Sequence, residues 1–397
     1  MQFSPATLIV GSRQCGKTTL VQAIKNQNAF RYLSFDDLSL LQSAKADPSQ
    51  FFKFNPPPLI LDEIQRTPEL FLPMKLSVDN NRSPNMFLLT GSANPLMLPN
   101  LGDSLAGRMV IHHLWPLSQG ELINHKENFL QVIFADDLPH LDMPPLTHED
   151  LFQKIRLGGF PTMQTLPDDE SRSLWLNGYL QTILEKDVRD LAQIEKLHEL
   201  PHMLELLATR PGELLNYVTL ANACNIPRST LTRYFQYMQT LFAIHPLRPW
   251  LANRGKRLIK SPKVYFNDTG ILCHLLHLSS NSTNIPRELL GKLIENFIVV
   301  ELQKQLSYSE SQYDLYFYRD HVGNEIDLVI EGPQKQIVAI EIKSTATIKT
   351  DFFKTISSFA KDLGPRFKRG IVLYTGDKAL SYGPNLIALP IQSLWQY

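Results

Sequence analysis

Apolar residues in the first quarter of the chain fall in short unbroken runs: ATLIV (6–10), FRYLSF (30–35), LILD (59–62) and MFLLT (86–90). Runs of this length, separated by polar or proline-rich turns, predict buried strands of a parallel sheet with helical crossovers. A glycine-bearing loop follows the first run and a helix begins near Lys17, so the order is strand, loop, helix. This predicts an α/β domain over 1–120. Beyond Pro116 the spacing becomes helical, over 149–157 and 170–195 with Gly158-Gly159-Phe160-Pro161 between them, predicting a helical lid and connector over 121–200. Three further helical stretches, 201–209, 217–223 and 228–241, are separated by Pro211-Gly212 and Asn225-Ile226-Pro227. That spacing, with the strand-like LFAIHPL behind it, predicts a winged-helix-like module over 201–263. The segment 264–397 returns to mixed α/β, with helices at 288–306 and 350–361 and strands at 313–318, 325–330, 336–343, 369–374 and 386–389.

Composition narrows the class. The 397 residues carry zero formal net charge and 43% hydrophobic residues, enough for two or three separate cores. The three cysteines, Cys15, Cys224 and Cys273, form no CxxC pair, which argues against a zinc knuckle or a disulfide framework and for a reducing, cytoplasmic setting. No window approaches the roughly 20 apolar residues of a membrane span, so no membrane association is expected. Charge is nonetheless uneven. Residues 221–263 hold Arg228, Arg233, Arg248, Arg254, Lys256, Arg257, Lys260 and Lys263 with no acid.

GSRQCGKT (11–18) has the full Gly-x-x-x-x-Gly-Lys-Thr spacing of a phosphate-binding loop. Gly11 and Gly16 let the backbone turn so that the N–H groups of Ser12, Arg13, Gln14, Cys15 and the helix start through Thr19 surround the phosphates. Lys17 is expected to reach the β- and γ-phosphoryl oxygens of ATP, and the Thr18 hydroxyl to ligate Mg²⁺. Cys15 reads as a filler of the turn, since no histidine is placed to activate it. In LILDEI (59–64), Asp62 is expected to orient a magnesium-bound water and Glu63 to polarise the attacking water. Thr90 and Ser92, at the end of MFLLTGS, are candidates to touch the γ-phosphate or that water. Arg108, after a short helix in SLAGR, fits either a finger reaching the nucleotide of a second copy in a homo-oligomer or a surface role; Arg156 is a weaker candidate.

Two readings stay open for the middle segment: contact of residues 213–263 with nucleic acid, most naturally DNA, through Arg228, Thr232, Arg233 and Gln236, or a protein-docking role. In the last third, Asp327 in EIDLVI and Glu341 and Lys343 in IVAIEIKS interrupt strand-like runs, and Glu295 lies on the helix upstream. Pairing of 325–330 with 336–343 through Gly332-Pro333 brings the acids together. They fit a magnesium site in which Lys343 orients water, or an internal salt bridge.

Taken together, GSRQCGKTTL, LILDEIQ, LLTGSA, SLAGR with PLSQGE, GGFP, YFNDTG, GKLIENF, GNEIDLVI and EIKS resemble a prokaryotic family of AAA-type ATPases with a C-terminal domain resembling restriction endonucleases. The resemblance spans nearly the whole chain. It implies Lys17, Thr18, Asp62 and Glu63 as the nucleotide site, Thr90 or Ser92 as sensor, Arg108 as finger, and Glu295, Asp327, Glu341 and Lys343 as a nuclease-like constellation. It also implies a helical stretch before the first strand that helps enclose the adenine. Only a few residues precede ATLIV here, which predicts weakened nucleotide affinity. The functional expectation is ATP hydrolysis coupled to a DNA-associated activity; a nucleotide-gated regulator with an inactive nuclease-like domain is the alternative.

Overall fold

The computed structural model describes residues 4–27, 30–92, 107–139, 143, 145–187, 199–252, 254–257, 260–280, 282 and 285–397. The chain divides into two compact units, one formed by Met1–Pro116 with Asp187–Gln193 and Gln236–Ala243, the other by Leu117–Lys186, Ile194–Phe235 and Ile244–Tyr397. The first boundary falls at the proline where the hydrophobic period changes. The three segments expected downstream of it lie mainly in the second unit.

The first unit is built on strands β1 (Ala6–Val10), β2 (Arg31–Ser34), β3 (Leu59–Asp62), β4 (Phe87–Gly91) and β5 (Met109–His113), all parallel, in the order β2-β3-β4-β1-β5. Side chains alternate across this sheet. Leu8, Val10, Leu59, Leu61, Phe87 and Leu89 enter one core, and Ile9, Ile60 and Leu88 enter a second with Val21 from the helix Lys17–Gln27. Both faces are covered, and that is why β1, β3 and β4 read as continuous apolar runs. β5 was not anticipated: its sequence, MVIHH, is partly exposed, as suits an edge strand.

In the second unit, β6 (Ile244–Leu247) and β7 (Lys263–Phe266) form an antiparallel ribbon; before it in the chain come the helices Glu199–Ala208, Tyr217–Ala223 and Arg228–Thr240, the last of which belongs to the first unit from Gln236 on. β8 (Asp314–Arg319), β9 (Glu325–Glu331), β10 (Ile337–Lys343), β11 (Phe367–Tyr374), β12 (Leu380–Gly383) and β13 (Leu386–Pro390) make a mixed sheet in the order β12-β13-β11-β10-β9-β8. β9 and β10 pair antiparallel through the turn at Gly332-Pro333, with Ile337 opposite Glu331 and Ile340 opposite Leu328. The helix Arg287–Tyr308 carries Asn296, fully buried, whose amide donates to the Phe266 carbonyl (2.8 Å) and accepts from its N–H (2.9 Å). One side chain thereby takes the place of a neighbouring strand for β7.

The expected helix over 170–195 appears as Asp169–Gln181 followed by a π-helical turn, Thr182–Asp187; its remainder lies outside the described residues. So does the short helix expected before Arg108. Among the described residues no helix is long and apolar enough to cross a membrane.

Candidate functional site

The carboxyl ends of β3, β4 and β1 are neighbours in the sheet, so the residues that follow each strand share one edge. After β1 the chain turns through Gln14 (φ 59°) and Gly16 (φ 107°) into the helix at Lys17. A Cβ on Gly16 would meet nothing within 4 Å, but its backbone lies where L-residues are strained. At Gly11 the reason is space: a Cβ there would stand 2.1 Å from the Leu114 carbonyl oxygen. Cys15 is buried and its thiol donates to that same carbonyl at 3.3 Å. Burial pushes its pKa up, with nearby Lys17 opposing, as suits a space-filling thiol.

Lys17 is buried, and its ammonium donates to the carbonyls of Gly11 (3.0 Å) and Ser12 (2.8 Å). Asp62, at the end of β3, is 2% exposed and gathers three hydroxyls: Thr90 on Oδ1, and Thr18 (3.1 Å) and Tyr32 (2.6 Å) on Oδ2. Glu63 sits in the left-handed region (φ 59°, ψ 43°) and its N–H donates to Thr90 Oγ1 at 3.1 Å. Such backbone is uncommon for a side-chain-bearing residue and concentrates at functional sites. The Glu63 carboxylate accepts from Gln65 Nε2 and from Ser92 Oγ (3.3 Å), and Gln65 also donates to Ser92 Oγ at 2.9 Å. The structure therefore brings Lys17, Thr18, Asp62 and Thr90 together, with Glu63 and Ser92 beside them. It adds Tyr32 and Gln65, which the sequence reading left out. Gln65 stood in the quoted LILDEIQ motif; Tyr32 was hidden inside a run read only as a strand.

Arg108, read from the sequence either as a finger for a second copy or as a surface residue, is anchored at the surface of its own unit. Its guanidinium clasps Asp79 of the helix Phe71–Asn80, Nε to Oδ1 at 2.6 Å and Nη2 to Oδ2 at 3.1 Å, an ion pair within the same unit. Arg156 lies in the second unit, paired with Asp169.

Two buried atoms at the loop side of this edge lack hydrogen-bond partners, Ser12 Oγ and Gln65 Oε1. Unsatisfied buried polar groups are costly, and a phosphate with its hydration supplies what such atoms need. The residues present thus fit ATP with Mg²⁺.

A second constellation lies in the second unit. Glu295, on the helix Arg287–Tyr308, accepts at Oε1 from Tyr265 (2.6 Å) and from Lys263 (3.0 Å), and Lys263 also meets Glu325 Oε1 at 2.5 Å. Asp327 Oδ2 accepts from Ile342 N–H at 2.7 Å, just beyond the last β9–β10 ladder pair. Lys343 pairs with Glu341 Oε1 at 2.6 Å, while Glu341 Oε2 is buried without a partner. Burial, then the proximity of Glu295 and Glu341, pushes the Asp327 carboxyl well above the ordinary carboxylate range. Burial likewise raises Glu341, with Lys343 opposing in part. For Lys263 burial pulls the pKa down, but Glu295, Asp327 and Glu325 outweigh it and the net movement is upward. As placed, the acids are held by two lysines, a tyrosine and a backbone N–H. Among the described residues no three His, Cys, Asp or Glu side chains stand so as to hold a metal ion. The sequence reading missed Lys263 as a member, having counted it among residues available to nucleic acid.

The basic stretch 221–263 also divides. Arg228, Arg233, Arg248 and Lys260 are exposed. Arg257 is buried against Glu331 at 2.9 Å and stacks over Tyr316 and Trp250, and Lys263 is buried as described. These two are internal counter-charges rather than surface contacts.

Comparison with known proteins gives three matched segments: an AAA domain over 4–123, and two domains of unknown function, DUF8612 over 148–282 and DUF4143 over 290–394. An uncharacterised protein of Mycobacterium tuberculosis is 27% identical over 392 residues, covering 98% of this chain and 81% of that protein. An uncharacterised protein of Methanocaldococcus jannaschii is 24% identical over 377 residues, covering 90% and 79%. Among solved structures, a Walker-type ATPase of Pyrococcus abyssi aligns with a TM-score of 0.41 at 14% identity, over 69% of this chain and 91% of that one. The AAA-domain match over the P-loop unit, with the DUF4143 match behind it, supports an AAA-type ATPase family for this chain.

Proposed function

We propose that the chain binds Mg²⁺-ATP at residues 11–18 and hydrolyses it, using Glu63 to align the attacking water. The observation that carries this reading is the hydrogen bond between Thr18 and Asp62, which joins the loop to the end of β3 and supports a cation held between them. Bound Mg²⁺ would neutralise charge on the β- and γ-phosphoryl oxygens, held by the Thr18 hydroxyl and, through water, by Asp62. Lys17 exchanges its two loop carbonyls for phosphate oxygens. Thr90 fixes both acids, bonding the Asp62 carboxylate and accepting the Glu63 N–H. Gln65 and Ser92 orient the Glu63 carboxylate. The test is ATP turnover beside nucleotide binding: Lys17→Ala should lose binding, while Glu63→Gln should keep binding and lose hydrolysis. Equal turnover in Glu63→Gln would refute the role given to that acid.

The finer reading couples this hydrolysis to DNA. It is supported by the exposed Arg228 and Arg233 on the helix Arg228–Thr240, with the β6–β7 ribbon next in the chain in the manner of a winged-helix module. A restriction-endonuclease-like role for 264–397 is supported by the mixed sheet and by the orphaned Glu341 Oε2 beside the raised Asp327, a group of acids with more negative charge than its lysines balance. A divalent cation there would take Asp327 and Glu341, with Glu295 released from Lys263. Turnover with and without double-stranded DNA, beside a cleavage assay in Mg²⁺, separates the enzyme from a nucleotide-gated regulator with an inactive domain.

A further inference from the structure

The helices His148–Leu157, Asp169–Gln181 and Thr269–Leu275, all in the second unit, contribute to the wall of a cavity of about 230 Å³. That is room for on the order of eight waters, and less than a typical drug-sized site. Among the described residues its formal charges do not cancel, since Arg156 and Arg172 line it with a single acid, Asp169. That acid is already engaged: Oδ1 accepts from Nη1 of both arginines, and Oδ2 accepts from Ser280 N–H at 3.0 Å. Arg172 gives its other donors to the carbonyls of Met163 (3.3 Å) and Leu166 (2.6 Å). Arg156 gives Nη2 to Gln153 Oε1 at 2.7 Å, but its Nε–H is buried with no acceptor, in a residue only 9% exposed. Leaving a charged donor buried and unsatisfied is costly, and the residue that carries it lines the cavity. His274 and His277 line the same cavity, His274 with Nε2 2.9 Å from Asn177 Oδ1 and its other ring nitrogen left for a ligand, as do the apolar residues Met163 and Leu176.

We propose that this cavity binds a small organic oxyanion, a carboxylate or a phosphate monoester on a compact apolar body, through Arg156 and the two histidines. The two arginines against Asp169 leave the local charge net positive, and Asp169 holds both guanidinium groups in place. The oxyanion completes the Arg156 guanidinium, as planar guanidinium groups favour such partners. The apolar body rests on Met163 and Leu176.

The P-loop is itself a phosphate site, so the test uses the full chain carrying Lys17→Ala. Titration calorimetry with phenyl phosphate and with benzoate, at matched ionic strength, should show saturable binding by at least one probe. The ratio of the two affinities then tells a phosphate ligand from a carboxylate. His277→Asn, which the left-handed backbone at φ 54° tolerates, should weaken that binding at least about fivefold and leave the unfolding midpoint of the unligated protein unchanged. Arg156→Lys should weaken it at least as much. Binding by neither probe, or binding that neither substitution moves, overturns the proposal.

Discussion

The Tyr32 hydroxyl donates a 2.6 Å hydrogen bond to Asp62 Oδ2, the oxygen that Thr18 also reaches. A carboxylate offers about four lone-pair sites, and three are occupied here by hydroxyls, so the acid is fixed before any cation arrives. Burial, and then the bond to Asp62, raises the Tyr32 pKa to about 12, so the hydroxyl stays a donor across the whole working range. Tyr32→Phe should loosen Asp62 by about 1 kcal/mol, raising the Mg²⁺ needed for half-maximal turnover roughly fivefold. Nucleotide binding without metal should not change. A Mg²⁺ titration of turnover, run beside metal-free binding, checks both halves.

Arg233 and Lys263 lie in the same basic stretch and should respond in opposite ways. On the proposed DNA contact, Arg233→Ala removes an exposed charge and should weaken binding about equally across sequences, lowering its salt dependence without altering the unfolding midpoint. Lys263→Ala strips Glu295 and Glu325 of a buried partner and should destabilise the fold by about 3 kcal/mol or more. Anisotropy titrations at two salt concentrations and denaturant unfolding read the two effects separately.

Gly158 is fixed by Asp268. The Asp268 carboxylate accepts from the N–H groups of Gly159 (2.7 Å), Gly270 (2.8 Å) and Ile271 (3.1 Å), starting the helix Thr269–Leu275 and tying it to the end of His148–Leu157. A Cβ on Gly158 would stand 2.3 Å from Asp268 Oδ1, and its φ of 62° already disfavours one. Gly158→Ala should cost about 3 kcal/mol or more, visible as a lower denaturant midpoint at an unchanged slope.

His245 governs part of the acid response. Its Nδ1 lies 2.6 Å from Asn267 Oδ1, and its Nε2 is buried without a partner. Burial lowers its pKa from 6.5 to about 4, with Asn267 opposing. Because the folded value is depressed, the unfolded chain takes the proton first. The contribution is full above about pH 6.5, falls as the medium acidifies, and is gone below about pH 4. It is worth on the order of 3 kcal/mol. His245→Gln should flatten this part of the stability profile, as unfolding at pH 7.5 and pH 4.5 will show.

What could be read from the sequence was what local pattern controls. β1, β3 and β4 were legible because two cores cover them, and the P-loop because glycine, lysine and threonine at fixed spacing have few other uses. β5 was not legible, since an edge strand need not be apolar. Tyr32 and Lys263 were missed for a different reason. Their roles depend on partners across the sheet or far along the chain, Asp62 in one case and Glu295 and Glu325 in the other, and no local period records such a partner. The same blindness made Arg257 look like a surface charge, although Glu331 neutralises it from 74 positions away.

That separation has a bearing on how the chain is born. Residues 254–263 carry Arg254, Lys256, Arg257, Lys260 and Lys263 and no acid, while the acids that receive Lys263 and Arg257, at 295, 325 and 331, are all made later. Synthesised from the amino end, the segment emerges as an unbalanced polycation that stays so until β9 has left the ribosome. Any fragment ending before Glu295 keeps this character permanently and will adhere to polyanions through charges that the finished protein has folded inward. Nucleic-acid affinity measured on such a fragment would add the charges of Arg257 and Lys263 to those of the exposed Arg228 and Arg233.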